Sequence, residues 1–146
     1  MQNKWDGRFM ERAQLISTWS KDRDHQVGAV IVDQFNRVKG EGYNGPPCLV
    51  KDSGLTRESD ILRTLHAEVN AVLHYLNNVP RPGGKYTMYV YPFLPCAQCA
   101  AVIIQAGIAA VKINSGQLLP SWRASQNEAV AMFEEAGVEV TLVGID

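Results

Sequence analysis

An α/β fold, a three-layer α/β/α sandwich around a five-stranded mixed sheet, is what three features of this 146-residue chain predict. The hydrophobic period changes along the chain, from helical spacing near the start to short β-branched runs after it. Two such runs, "VGAVIVD" and "VKGEGYN", flank the turn "QFNR" and read as an antiparallel hairpin. The phrases "QAGIAAV" and "EAGVEVT" each stop a helix at a glycine and start a strand, so the second half reads as two successive βα units. Strands joined through helices should run parallel by right-handed crossovers, while the hairpin supplies the antiparallel pair.

Phe9, Ala13, Ile16 and Trp19 mark a first helix over residues 7 to 19, with Asp6 as its cap. The hairpin strands follow at 27 to 33 and 38 to 44. Residues 45 to 60 hold Gly, Pro and Ser without periodicity and read as a long loop, of the length that often carries function. Leu65, Val69, Val72, Leu73 and Leu76 give a second amphipathic helix, which "NNVPRPGG" ends. "KYTMYVYP" is a strand, "CAQCAAVIIQAG" after Pro95 a helix ending at Gly107, and "IAAVKIN" a strand. "SQNEAVAMFEEAG" is a helix ending at Gly137, and "VEVTLVG" is the last strand.

The length is one domain's worth, so residues 1–146 are expected to share a single core. Lys and Arg number 14 against 15 Asp and Glu, for a net charge of −1. Nothing resembles the basic stripe of a nucleic-acid binder, and a small-molecule substrate is the better default. The first residues lack the apolar core of a signal peptide, and no run approaches the eighteen or so apolar residues of a membrane span. A cytoplasmic protein is expected. Cys48, Cys96 and Cys99 cannot all pair within one chain, and cytosolic thiols stay reduced, which favours metal binding or catalysis over a disulfide framework.

Cys96 and Cys99 sit three apart at the start of a helix, so their sulfurs share one face, and the free N–H groups there favour thiolates. That spacing also fits a thioredoxin-like redox pair. His66 and Glu68 lie two apart in the otherwise apolar "LHAEVNAV", one strand earlier. If both helices pack on one face of the sheet, their N-terminal ends converge, and His66, Cys96 and Cys99 can bind one Zn²⁺ with a fourth position left for water. Glu68 then overhangs the adjoining cavity as a proton carrier; a merely solvated glutamate fits such an apolar segment poorly. Cys48 offers the competing possibility of a closed four-ligand structural site. His25 and His74 have no such neighbours and read as structural.

"HAE" followed by "PCAQC" resembles the H-x-E…P-C-x-x-C pattern of zinc nucleoside and nucleotide deaminases. "SKDRDHQVGAVIVD", "GYNGPP", "HAEVNAVLH" and "MYVYPFLPCAQCAAVIIQAGI" are similar to the deoxycytidylate (dCMP) deaminase family across most of residues 16 to 113. The resemblance implies a cytidine-deaminase-like sandwich that hydrolyses dCMP to dUMP, the thymidylate precursor. It implies one zinc per chain on His66, Cys96 and Cys99, with Glu68 protonating N3 during attack at C4 and later the departing ammonia. It further implies a homohexamer activated by dCTP and inhibited by dTTP at a second site with Gly42, Tyr43 and Gly45; the other reading is that these glycines only shape the hairpin's exit. Asn44 becomes a candidate for the deoxyribose hydroxyl, the backbone around Ala29 and Ala67 for the base pocket, and Lys21 or Arg63 for the 5′-phosphate. The "GPP" continuation and the loop from 46 to 60 depart from the family pattern. Rival readings are a relative acting on dCTP, another cytosine compound, guanine or tRNA adenosine, and a zinc-stabilised binding module without catalysis.

Overall fold

A computed structural model describes residues 3–78 and 84–145. Helix α1 (Lys4–Ser17) starts three residues before the expected position because Asn3, not Asp6, caps it. The Asn3 side chain accepts from the Asp6 N–H at 3.0 Å, and Asp6 reaches back to the Asn3 N–H at 3.4 Å, a reciprocal capping box. Phe9, Ala13 and Ile16 are buried as the spacing predicts, but Trp19 lies past the helix end and is exposed.

Strands β1 (Gly28–Val32) and β2 (Val38–Tyr43) form the expected hairpin, with a register shift at Ile31/Val32. With β3 (Thr87–Tyr91), β4 (Ala110–Ile113) and β5 (Glu139–Leu142) they make one sheet in the order β2-β1-β3-β4-β5. β1 pairs antiparallel with β2 and β3, while β3, β4 and β5 are mutually parallel. Alternation along each strand sends Val30, Val32 and Tyr89 to one face, under α1, and Ala29, Ile31, Met88, Val90 and Val111 to the other. That second face carries α3 (Ala67–Asn78), α4 (Ala97–Gln105) and α5 (Arg123–Ala136). The three-layer α/β/α sandwich and its mixed sheet are therefore as predicted. Among the described residues no helix is long and apolar enough to cross a membrane.

Two expectations fail locally. The loop expected over 45 to 60 ends early, because Thr56 caps a short helix, α2 (Arg57–Arg63), by accepting from the Ser59 N–H at 3.1 Å. The second long helix buries a different face from the one its leucines mark. Ala67, Ala71, Val72 and Tyr75 are buried, whereas Leu73 and Leu76 are about half exposed. Gly40 and Gly42 of β2 explain this: an added Cβ at Gly42 would lie 2.7 Å from the Ala71 nitrogen and 2.9 Å from the Ala67 oxygen, so α3 rests directly on the strand. Only small side chains fit that seam. The Pro and Gly residues expected to end α3 fall mostly at 79–83, outside the described residues.

Candidate zinc and deaminase site

The site forms where α3 and α4 begin. After α2 the chain runs extended, and Leu65 exchanges two backbone hydrogen bonds with Gly45, at 2.8 and 3.0 Å. His66 follows, and its carbonyl accepts the first bond of α3, from the Asn70 N–H at 3.1 Å. Cys96 holds the same station on α4: it is the N-cap, its carbonyl accepts from the Ala100 N–H at 2.9 Å, and Cys99 lies one turn in. Pro95 thus precedes the cap. The two helix starts converge as the spacing predicts, with His66 Nδ1 3.2 Å from Cys99 Sγ and 3.5 Å from Cys96 Sγ.

The three candidate ligand atoms lie within 4.8 Å of one another. Hydrogen bonding from the Cys99 thiol pulls Cys96 down to about 4, against the effect of burial and with help from His66. Cys99 is correspondingly raised, first by the Cys96 sulfur that holds its proton and then by burial. Two sulfurs and an imidazole nitrogen are a donor set that fits Zn²⁺, and no other Cys, His, Asp or Glu joins the cluster among the described residues. Glu68, 5% exposed, stands beside it, and burial raises its carboxyl above the ordinary range.

A cavity of about 220 Å³ opens in front of Glu68 and His66. Ala67, Val27 and Asn44 line part of it, Phe93, His25 and Trp122 form an aromatic side, and Asp22, Arg57, Ile61 and Thr64 stand around the rest. Helix α5 braces this arrangement from behind. Ser125 Oγ accepts from the Ala97 N–H at 2.9 Å, at the first turn of α4. Gln126, fully buried, accepts from the Leu119 N–H at 2.9 Å and donates to the Leu94 carbonyl at 3.0 Å.

Residues 3–115 match the family model described as the cytidine and deoxycytidylate deaminase zinc-binding region. The chain belongs to that family. It is a hydrolytic deaminase, and zinc is the metal its ligand cluster serves. An uncharacterized deaminase from the luxG 3′ region of Aliivibrio fischeri is 41% identical, covering 100% of this chain and 98% of that one. Human deoxycytidylate deaminase is 38% identical over 92% of this chain and 77% of its own length. The dCMP deaminase of cyanophage S-TIM5 has the same fold, with a TM-score of 0.77, 23% identity, and coverage of 98% of this chain and 100% of that one.

Within this deaminase most of the candidate residues fall at one of two cavities, and Ala29 and Arg63 at neither. His66, Glu68, Cys96, Cys99, Ala67 and Asn44 gather at the 220 Å³ cavity or its ligand cluster. Asn44 is already engaged there, its Oδ1 accepting from the Val27 N–H at 2.9 Å and its Nδ2 donating to the His25 carbonyl at 2.8 Å. Ala29 is fully buried between β2 and β3, and Val27 takes the expected place at the cavity. Gly42, Tyr43, Gly45, Lys21 and Cys48 line a second, larger cavity of about 730 Å³, with Asp22, Asn44 and Thr64 common to both. Cys48 is exposed and outside the ligand cluster, so the site is open. The close backbone approach Gly42 makes is to α3. Lys21 pairs with Asp52 at 2.8 Å, and Arg63 reaches the Lys51 carbonyl at 3.5 Å and lines neither cavity.

The cation at the catalytic cavity is Arg57, which sequence reasoning missed because it lies in the stretch read as loop. It contacts Asp24 at 2.9 Å, Asp22 at 3.4 Å and Asp60 at 3.7 Å. His25, expected to be structural, lines the cavity, because the fold and not its sequence neighbours brings it there; His25 and Phe93 lie inside the quoted motifs without a signal of their own, and Trp122 carried none at all.

Proposed function

We propose that this deaminase hydrolyses dCMP to dUMP and ammonia, yielding the precursor of thymidylate. The observation that carries the reading is the buried Glu68 carboxyl beside a three-ligand cluster with an open cavity before it. The curated human relative named deoxycytidylate deaminase supports the choice of substrate. When bound, zinc supplies the Lewis acidity that makes water a usable nucleophile near neutral pH. Glu68 handles the protons: it takes one from the attacking water and gives it to N3 as the oxygen joins C4, then takes the second from the C4 hydroxyl and passes it to the amino group, so that the C4–N bond breaks, ammonia leaves and the C4 carbonyl forms. Asn44, fixed by Val27 and His25, meets the deoxyribose hydroxyl with its remaining amide proton.

Arg57 is the better partner for the 5′-phosphate than Lys21 or Arg63. Its planar fork suits a phosphate, and the exposed Asp24 is the carboxylate that gives way, since Asp22 is held by the Asp24 and His25 N–H groups at 2.9 and 3.0 Å. The same three carboxylates favour a second reading, in which the substrate is an unphosphorylated nucleoside that avoids their charge. Ammonia release from dCMP, dCTP, deoxycytidine and cytidine separates these. Preference for dCMP, reduced by Arg57→Gln relative to deoxycytidine, is expected; turnover of unphosphorylated substrates alone overturns the dCMP assignment. The second cavity, with Gly42, Tyr43, Gly45 and Lys21, is the place for dCTP or dTTP as effectors, checked by dCMP assays with each added. A homohexameric state is expected and is read by light scattering.

A further inference from the structure

We propose that Trp122 sets the ring size of the base, admitting a single-ring pyrimidine and excluding a fused purine. This rests on the deamination reading and specifies its substrate class. The indole lies nearly parallel to the His66 imidazole, at 17° and 5.8 Å between centroids. A third ring between them would need roughly 7 Å, two contacts of about 3.5 Å each, so the base does not sandwich there. Trp122 instead covers the face of the metal-binding imidazole and stands as a wall. Its other neighbour is His25, at 5.5 Å, which in turn meets Phe93 edge-on at 6.1 Å. A base whose reacting carbon lies at Glu68 and the ligand cluster shares a cavity of only about 220 Å³ with this aromatic side, and Trp122 stands against the ligand imidazole itself. The second ring of a purine, fused next to the reacting carbon, competes for the space beside the ligand cluster that the indole fills.

The wall is held in place. Trp122 closes a 3₁₀ turn (Pro120–Trp122) with its N–H on the Leu119 carbonyl at 2.9 Å. Leu119 is tied through buried Gln126 to the Leu94 carbonyl, two residues before Cys96. The backbone that carries the indole is therefore tied through Gln126 to the segment just before Cys96.

Calorimetric binding of dUMP and dAMP to the zinc-loaded protein tests the assignment independently of turnover, alongside KM and kcat for dCMP and metal analysis. In the wild type, dUMP should bind at least tenfold more tightly than dAMP. Trp122→Ala should narrow or reverse that ratio by tenfold or more, raising KM for dCMP more than it lowers kcat, with zinc retained. Trp122→Phe should lie between the two, and it decides the matter if the alanine variant does not fold. An unchanged dUMP-to-dAMP ratio in the folded, zinc-loaded variant overturns the size filter while leaving deamination intact. Absence of dCMP turnover in a wild type that still discriminates by ring size overturns the deamination reading instead.

Discussion

Glu68 is held by its surroundings to one task. Its carboxyl is buried, raised by desolvation, and placed beside the zinc ligands without being one of them. Glu68→Gln keeps the shape and removes the proton carrier, so turnover should fall by roughly 10² to 10⁴ while zinc content stays at one per chain. Ammonia release and metal analysis check both halves, and unchanged turnover would remove Glu68 from the chemistry. Asp6, on the opposite face of the sheet, is a structural counterpart. Burial raises its carboxyl, but hydrogen bonds from Lys112 at 2.8 Å, Tyr89 at 2.5 Å and Asn3 outweigh this and leave it below the ordinary range. A carboxyl whose folded value is depressed stabilises fully above its unfolded value, near 4, and loses that contribution as pH falls through the lower folded value. Urea unfolding from pH 7 down to 2 should therefore show a loss of stability beginning below about pH 4 that Asp6→Asn diminishes.

The placement of Glu68 depends on helix α3 lying directly on β2. Gly42→Ala would force a methyl against the Ala71 nitrogen, so it should lower stability by about 1–3 kcal/mol and shift the helix start enough to cut activity ~10-fold or more. Gly45→Ala is the control: its nearest new neighbour is the Tyr43 ring at 3.8 Å, and stability should move by less than about 0.5 kcal/mol. Thermal unfolding of the two variants makes the comparison. This seam also shows why part of the fold was legible and part was not. Hydrophobic period revealed α3 but assigned its buried face by the largest apolar residues, whereas contact with a glycine strand demands alanine there and turns Leu73 and Leu76 outward. Helix α2 buries no residue and is held by Thr56, an acidic first turn and Arg63 near its end, signals that a search for apolar rhythm passes over. The zinc ligands were legible because metal binding fixes both residue type and spacing. His25 and Phe93 come from two loops and Trp122 from a 3₁₀ turn, and they meet only in three dimensions.

For the molecule as a whole, zinc joins helix starts that follow different connections of the sheet. Chelation should abolish deamination and lower the unfolding temperature, and readdition of Zn²⁺ should restore both. A ligand present at a thousandfold over its dissociation constant contributes about 4 kcal/mol, which sets the size of the expected shift. A metal-free protein of undiminished stability and full turnover would contradict the site. The recognisable family region closes at residue 115, yet Trp122, Ser125 and Gln126 lie beyond it. A chimera spliced at that border would keep the reacting groups, Asn44 and Arg57 from one parent and take only the Trp122 side of the cavity from the other. Transplanting the final thirty or so residues is thus a route to new selectivity that leaves every reacting group untouched.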